Sequence, residues 1–386
     1  MAGQIIKRGD NTWLVRIFTG KNAKGKRSYL NKTIHGVRKD AQHYLNQKLR
    51  ERDLGISLES STITVDEFID RWLESAVRPR VSPRTADGYE SRLEKYIRTP
   101  LGSKRLEALT AMDIQYVYAQ IQAQGLSART VRHTHSALHN ALKQAVRWNL
   151  LQKNVAEYVE LPKVPHIERR VLSPEESKRF LDKAETMPHG LIFEFALLSG
   201  MRPEESLALQ WSDLDFERCT AQVNRALVRH KGSWTFEKPK TAKSRRIITL
   251  SEPLMLKLKV HKRSQNETRL KNGLHWENNN LVFCTDLGTP HSVPNLTYRY
   301  YRPILTKAGL PQIRLYDLRH SHATLLLIAE ENPKVVAERL GHSTIVLTMD
   351  TYSHVIPTMQ RNATDKLTKM LYERPKKPVE KRLGTL

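Results

Sequence analysis

A chain of 386 residues with 64 Lys and Arg against 40 Asp and Glu carries a formal net charge of +24, and its length suits two or three domains better than one core. Basic and acidic residues are interspersed along it, so the positive field belongs to folded surface and attracts polyanions, with nucleic acid the leading partner. Two cysteines, Cys219 and Cys284, stand far apart without paired spacing, which argues against a disulfide framework or a Cys-based zinc site.

The opening "MAGQIIKRGD" has no apolar signal core, and no uninterrupted apolar run approaches a membrane span. A protein of the reducing cytosol is expected. Residues 1–60 contain "NTWLVRIF", the basic turn "TGKNAKGKR" and "SYLNKTI", which read as short strands around a flexible connection. A helix follows from about Arg38 to Arg52, with Ala41, Tyr44, Leu45 and Leu49 on one face. A basic β-ribbon with a helix behind it suits a DNA groove.

Residues 61–160 read as an all-helical bundle. Thr64 and Glu67 have capping-box spacing before Val65, Phe68, Ile69, Trp72 and Leu73; Ser82 and Pro83 start a second helix, and Thr110 with Asp113 a third. The fourth carries Val131, His135, Leu138, Leu142 and Trp148 as its buried stripe. His133, His135 and His139 have no carboxylate or cysteine in register, so no metal site is assigned to them. The proline-rich residues 161–172 form a linker that ends at the Ser173 helix cap. Residues 173–386 mix helices with strands at "TAQVNRALV", "SWTF" and "SRRIITL", and "NPKVVAERLGH" is a helix started by Asn-Pro and stopped by Gly.

Four pieces of this last unit carry unusual charge. In "LLSGMRPEESLALQWSDLDF" Arg202 opens a helix, where its guanidinium can fork onto phosphate oxygens or pair with Glu205 or Asp213. In "EKPKTAKSRRIITL" a basic turn presents Lys240 and Lys243, and an ammonium can protonate a leaving oxygen. In "RLYDLRHSHATLLL" Arg319 lies at the start of an apolar helix, three residues after Tyr316 and just before His320, with His322 beyond as a packing candidate. In "GHSTIVLTMDTYSHV" His342 precedes Tyr352 by ten positions. A phenol has a pKa near 10 and becomes a useful nucleophile only where positive groups stabilise the phenolate. Each piece has a structural reading as an ion pair, a solvated face or core packing.

Together these pieces resemble the tyrosine recombinase family, in particular integrases of phages and conjugative transposons, through Arg202 in "SGMRPEE", Lys240 in "PKTAKSRR", Arg319 in "YDLRHSHAT", His342 in "LGHSTI" and Tyr352 in "MDTYSHV". The resemblance implies a multidomain α+β fold: an arm-binding β-ribbon/helix domain (1–60), an all-α core-binding bundle (61–160) and a mainly helical catalytic domain with a small antiparallel sheet (173–386). It departs at Tyr316, where the family usually has histidine; Tyr316 either serves as base or only positions the phosphate.

The resemblance further implies that Tyr352 attacks a DNA phosphodiester to give a 3′-phosphotyrosyl link and a free 5′-hydroxyl. Arg202 and Arg319 would clamp the phosphate, Lys240 (or Lys243) would act as acid and His342 as hydrogen-bond partner, with His342 and Tyr352 on neighbouring helical turns. No metal and no cofactor are called for. The implied partners are double-stranded DNA at core and arm sites, three further copies in a homotetramer, a directionality factor and a host DNA-bending protein. The implied setting is the nucleoid of a bacterial host cell, where the enzyme integrates and excises a mobile element. A Leu367, Met370, Leu371 spacing near the C-terminus suits docking on a neighbouring copy. The competing readings are an architectural DNA-binding protein, a chromosome-dimer recombinase, which usually lacks the first 60 residues, and a type IB topoisomerase.

Overall fold

The structure is a computed structural model that describes residues 3–21, 25–53, 62–165, 170–230, 232–238, 244–342, 344–346, 364, 365, 367, 368 and 370–372. Two compact units divide the chain, Met1–His166 and Ile167–Leu386.

In the first unit, β1 (Gly3–Gly9), β2 (Thr12–Lys21) and β3 (Arg27–His35) form an antiparallel sheet in that order. Alternation along β2 sends Val15 and Ile17 to one face, where they are buried with Ala41 and Leu45 of α1 (Arg38–Asp53). Tyr44 and Leu49 pack at the edge of this cluster, on the helix face expected from the sequence. Arg16 points the other way, with its guanidinium 3.9 Å from the centre of the Tyr29 ring.

The helical part of this unit contains α2 (Val65–Trp72), α3 (Pro83–Leu93), α4 (Ala111–Ala123) and α5 (Ala128–Arg147). Both expected capping boxes are present: Thr64 and Glu67 exchange side-chain-to-backbone bonds, and so do Thr110 and Asp113. Lys104 adds a 2.5 Å bond to Asp113 and, with Thr110, holds that carboxyl down at about 2. Phe68, Ile69, Trp72, Leu93, Ile97 and Tyr118 meet Val131, Leu138 and Leu142 in one core. His135 is only half-buried, its ring bonding the Tyr118 hydroxyl at 3.2 Å, and Trp148 sits edge-on to Phe68 at the margin.

The second unit is built around a helix that is buried over most of its surface, its one charged residue, Glu194, paired with Lys257. In α7 (Gly190–Ser199) Ile192, Phe193, Phe195, Ala196 and Leu197 are all buried, which a two-faced surface helix would not permit. Before it runs α6 (Pro174–Glu185), started by a Ser173–Glu176 capping box, and after it α8 (Pro203–Leu207). Strands β4 (Leu214–Asp215), β5 (Thr220–Val223) and β8 (Arg246–Thr249) form one small antiparallel sheet, and β6 (Ala226–His230) and β7 (Ser233–Glu237) a separate hairpin.

The stretch "TAQVNRALV", expected as one strand, is therefore two. The break has a side-chain cause: Asn224 and Arg225 both turn onto the buried Asp213 carboxylate, at 2.9 and 2.6 Å, and this carries the chain out of the first sheet into the hairpin. The unit continues with α9 (Glu252–Asn272), α10 (Asp317–Ile328) and α11 (Pro333–Leu340). α10 packs against α7 and α11, and α11 also meets β8.

Candidate strand-transfer site

Three chain reversals bring the charged residues of the second unit together. The first is the end of α7. Gly200 closes the helix at φ +66°, and a Cβ there would stand 2.4 Å from Cδ2 of His322, so both backbone sign and space require glycine. Arg202 follows as the residue that starts α8, with Pro203 in the first helical position. Glu205 reaches back so that its Oε2 accepts the Arg202 amide at 3.0 Å, while its Oε1 accepts from Arg202 Nη1 at 2.6 Å.

The second reversal leads into α10. Arg319 is 2% exposed, and its guanidinium donates to the carbonyl of Gly200 at 2.8 Å and to that of Leu340 at 2.5 Å. Tyr316, half-buried, lies within the electrostatic reach of Arg202, and its ring lies 5.4 Å from that of His320. Burial, and next the neighbouring Arg202 charge, lower the Arg319 pKa, and the guanidinium still stays charged at neutral pH.

The third reversal ends α11. Gly341 sits at φ +68°, the Gly341 amide donates to Glu338 O and the His342 amide to Ala337 O, both at 2.9 Å. This paired closure fixes the backbone of His342 and leaves Leu340 O to Arg319. Burial and the charges of Arg319 and Arg202 push His342 down to about 4, so its imidazole is neutral at pH 7. Arg202, Tyr316, Arg319 and His342 thus form one electrostatic neighbourhood. Lys240, its alternative Lys243, and Tyr352 lie outside the described residues, as does the expected placing of His342 and Tyr352 on adjacent turns.

Behind this group stand residues that the sequence did not single out for a role. Arg246 is almost wholly buried and grips Glu205 through Nη2 at 2.8 Å and Nη1 at 3.3 Å, while its Nε donates to Arg339 O at 2.6 Å. The alternation that buries Ile248 turns Arg246 inward as well, and an inward basic residue on a strand was the available signal. His322 donates from Nδ1 to Leu197 O at 2.9 Å and accepts at Nε2 from Arg339 Nε at 3.0 Å. Since arginine only donates, His322 is the neutral Nδ1–H tautomer, and burial with the Arg339 charge pushes its pKa down to about 3.

The arrangement can do one kind of chemistry well. Fixed guanidiniums in a half-buried site stabilise charge that develops on an anion's oxygens without having to reorganise. The phosphodiester is the anion that suits a fork of donors of this kind.

The second unit is thus a mainly helical fold with two small antiparallel sheets and an Arg-Tyr-Arg-His cluster whose charge suits an anion. Residues 170–359 match the family described as "Phage integrase family", and residues 64–120 match "Phage integrase, N-terminal SAM-like domain". The chain belongs to the phage integrase family of tyrosine recombinases, and its activity is site-specific DNA recombination.

A "Tyrosine recombinase XerC-like" protein of Caldanaerobacter subterraneus is 29% identical over 94% of this chain and 97% of its own length. The ICEBs1 integrase of Bacillus subtilis is 27% identical over 72% of this chain and 76% of its own. Among solved structures, the Tn1549 transposon integrase in complex with circular intermediate DNA aligns with a TM-score of 0.67 at 22% identity, over 79% of this chain and 99% of that one. A lambda integrase tetramer bound to a Holliday junction aligns with a TM-score of 0.55 at 17% identity, over 90% and 94%.

Proposed function

We propose that Tyr352 is the nucleophile and that Arg202, Arg319 and His342 hold the scissile phosphate. In the first step the Tyr352 oxygen bonds phosphorus, the bond from phosphorus to O5′ breaks, the phenol passes its proton to water, and O5′ gains one from Lys240, with Lys243 as the alternative acid. Rejoining reverses the step with the 5′-hydroxyl of a second strand, and the energy of the phosphodiester is conserved in the protein link. The observation that carries this reading is the convergence of Arg202, Arg319 and His342 on one site by way of the Gly200 and Leu340 carbonyls. Tyr316 is assigned to positioning: its phenol stands beside Arg202 at the clamp, and phenols are poor bases at pH 7.

The first unit supplies DNA binding in two parts. The sheet face that carries Arg16 and Tyr29 reads arm sites, and the helices from α2 to α5 grip the core site, so that binding is bivalent. The working assembly is a tetramer on two duplexes in the bacterial cytoplasm, with a directionality factor and a DNA-bending protein setting the choice between integration and excision. Leu367, Met370 and Leu371, each more than half exposed, offer apolar surface for a neighbouring protomer.

The deciding experiment incubates wild type and Tyr352→Phe with a nicked duplex spanning the junction between the encoding element and its chromosome, followed by denaturing electrophoresis. An adduct in wild type alone is expected. An adduct in both would move the nucleophile to another residue, and none in either, with binding verified on the same DNA, would leave a DNA-binding protein without strand-transfer chemistry.

A further inference from the structure

The Glu205 carboxylate is shared. Arg202 takes one bond from Oε1 through its guanidinium and another from Oε2 through its amide, and Arg246 covers both oxygens from the opposite side. With Glu205 at 5% exposure and Arg246 at 6%, water supplies little of the balance between the two cations. Arg246 also bonds the carbonyls of Ser244, beside the Lys240 segment, and of Arg339, three residues before His342.

We propose that Arg246 is a positioning residue for DNA cleavage, acting through Glu205 to keep the Arg202 charge available to the scissile phosphate. This rests on the reading of Arg202 as part of the phosphate clamp. A carboxylate held by one guanidinium alone neutralises it and draws it inward; a carboxylate divided between two leaves each of them a net surplus of positive charge. Four of the five donor hydrogens of Arg246 go to Glu205, Ser244 O and Arg339 O, which makes it a framework residue of the site. Its charge also reaches Arg319 and His342, and its effect on Arg202 passes through the counter-ion it holds.

This account makes a prediction that a purely structural role does not. Removing the charge at 246 leaves Glu205 wholly to Arg202, so removing the charge of Glu205 as well should restore part of the lost rate. The test measures single-turnover adduct formation on the nicked duplex at saturating protein for wild type, Arg246→Lys, Arg246→Gln and Arg246→Gln/Glu205→Gln, with DNA affinity and thermal unfolding followed in parallel.

Arg246→Gln is expected to cleave at least 30-fold more slowly with affinity within about threefold of wild type, Arg246→Lys to lie between the two, and the double variant to regain about tenfold over Arg246→Gln. The proposal is overturned if the double variant is no faster than the single, if Arg246→Gln cleaves at the wild-type rate, or if rate and affinity fall together. Should Arg246→Gln fail to fold, the same comparison runs between Arg246→Lys and Arg246→Lys/Glu205→Gln, where a double variant no faster than its parent is again the overturning result. Absence of an adduct from wild type would instead overturn the phosphate-clamp reading on which the proposal stands.

Discussion

Arg319 sits at the centre of the second unit because its partners are main-chain carbonyls from two distant segments, Gly200 and Leu340. A lysine there carries the charge on a single nitrogen and cannot span the two carbonyls that Nη1 and Nη2 of the guanidinium reach separately, so one buried carbonyl loses its partner. Arg319→Lys should therefore lower stability by about 1–3 kcal/mol and cut adduct yield at least tenfold, read by urea denaturation and denaturing gel. The buried histidines give a second prediction. His291, in ring contact with His189, is pushed down to about 4 by burial, as is His342, and His322 to about 3. Each is neutral in the fold and has an unfolded pKa near 6.5, so the unfolded chain binds more protons below that value. Stability is full above pH 6.5 and falls as pH drops toward 4; melting temperatures between pH 7.5 and 4.5 should record the fall, and His291→Phe should make it shallower. At this scale the sequence displayed Arg202, Tyr316, Arg319 and His342, because each stands beside a helix start or stop that reads locally. It did not display what Arg246, Arg339 and His322 do, because apart from Ser244 beside Arg246 their partners lie from 17 to 141 positions away and no local pattern records them.

Helix ends carry much of the structure of both units. Thr64→Ala removes one half of a capping box and should destabilise the helical unit by about 1 kcal/mol. Gly200→Ala should do more damage: the left-handed backbone alone costs an ordinary residue about 1–2 kcal/mol, and the added carbon strikes the His322 ring and threatens its bond to Leu197. Chemical denaturation of the two variants measures the difference directly. Capping boxes, the Asn-Pro start of α11 and its Gly stop were legible in the sequence because each signal lies within four residues of its partner. The β-rich centre was legible only in part. Alternation marks strands but does not say where one sheet ends, and the turn at Asn224–Arg225 depends on Asp213, which comes before β4 and β5.

The molecule as a whole is defined by an excess of 24 positive charges on a chain that folds into two units. Phosphate contacts release counter-ions, so affinity for DNA should fall steeply with salt, by about 10³-fold or more between 50 and 200 mM if about six phosphates are held. Fluorescence anisotropy with the nicked duplex across that range tests it. Composition and length pointed to nucleic acid and to modular build before any motif was read, since both follow from totals. The carbonyl anchorage of Arg319 has a further consequence at this scale. Neutral acceptors orient a cation without discharging it, so the site recognises its target by formal charge more than by outline. A methylphosphonate at the scissile position, with nearly the shape of the natural link but no negative charge, would leave the two arginines repelling each other across the gap it fills.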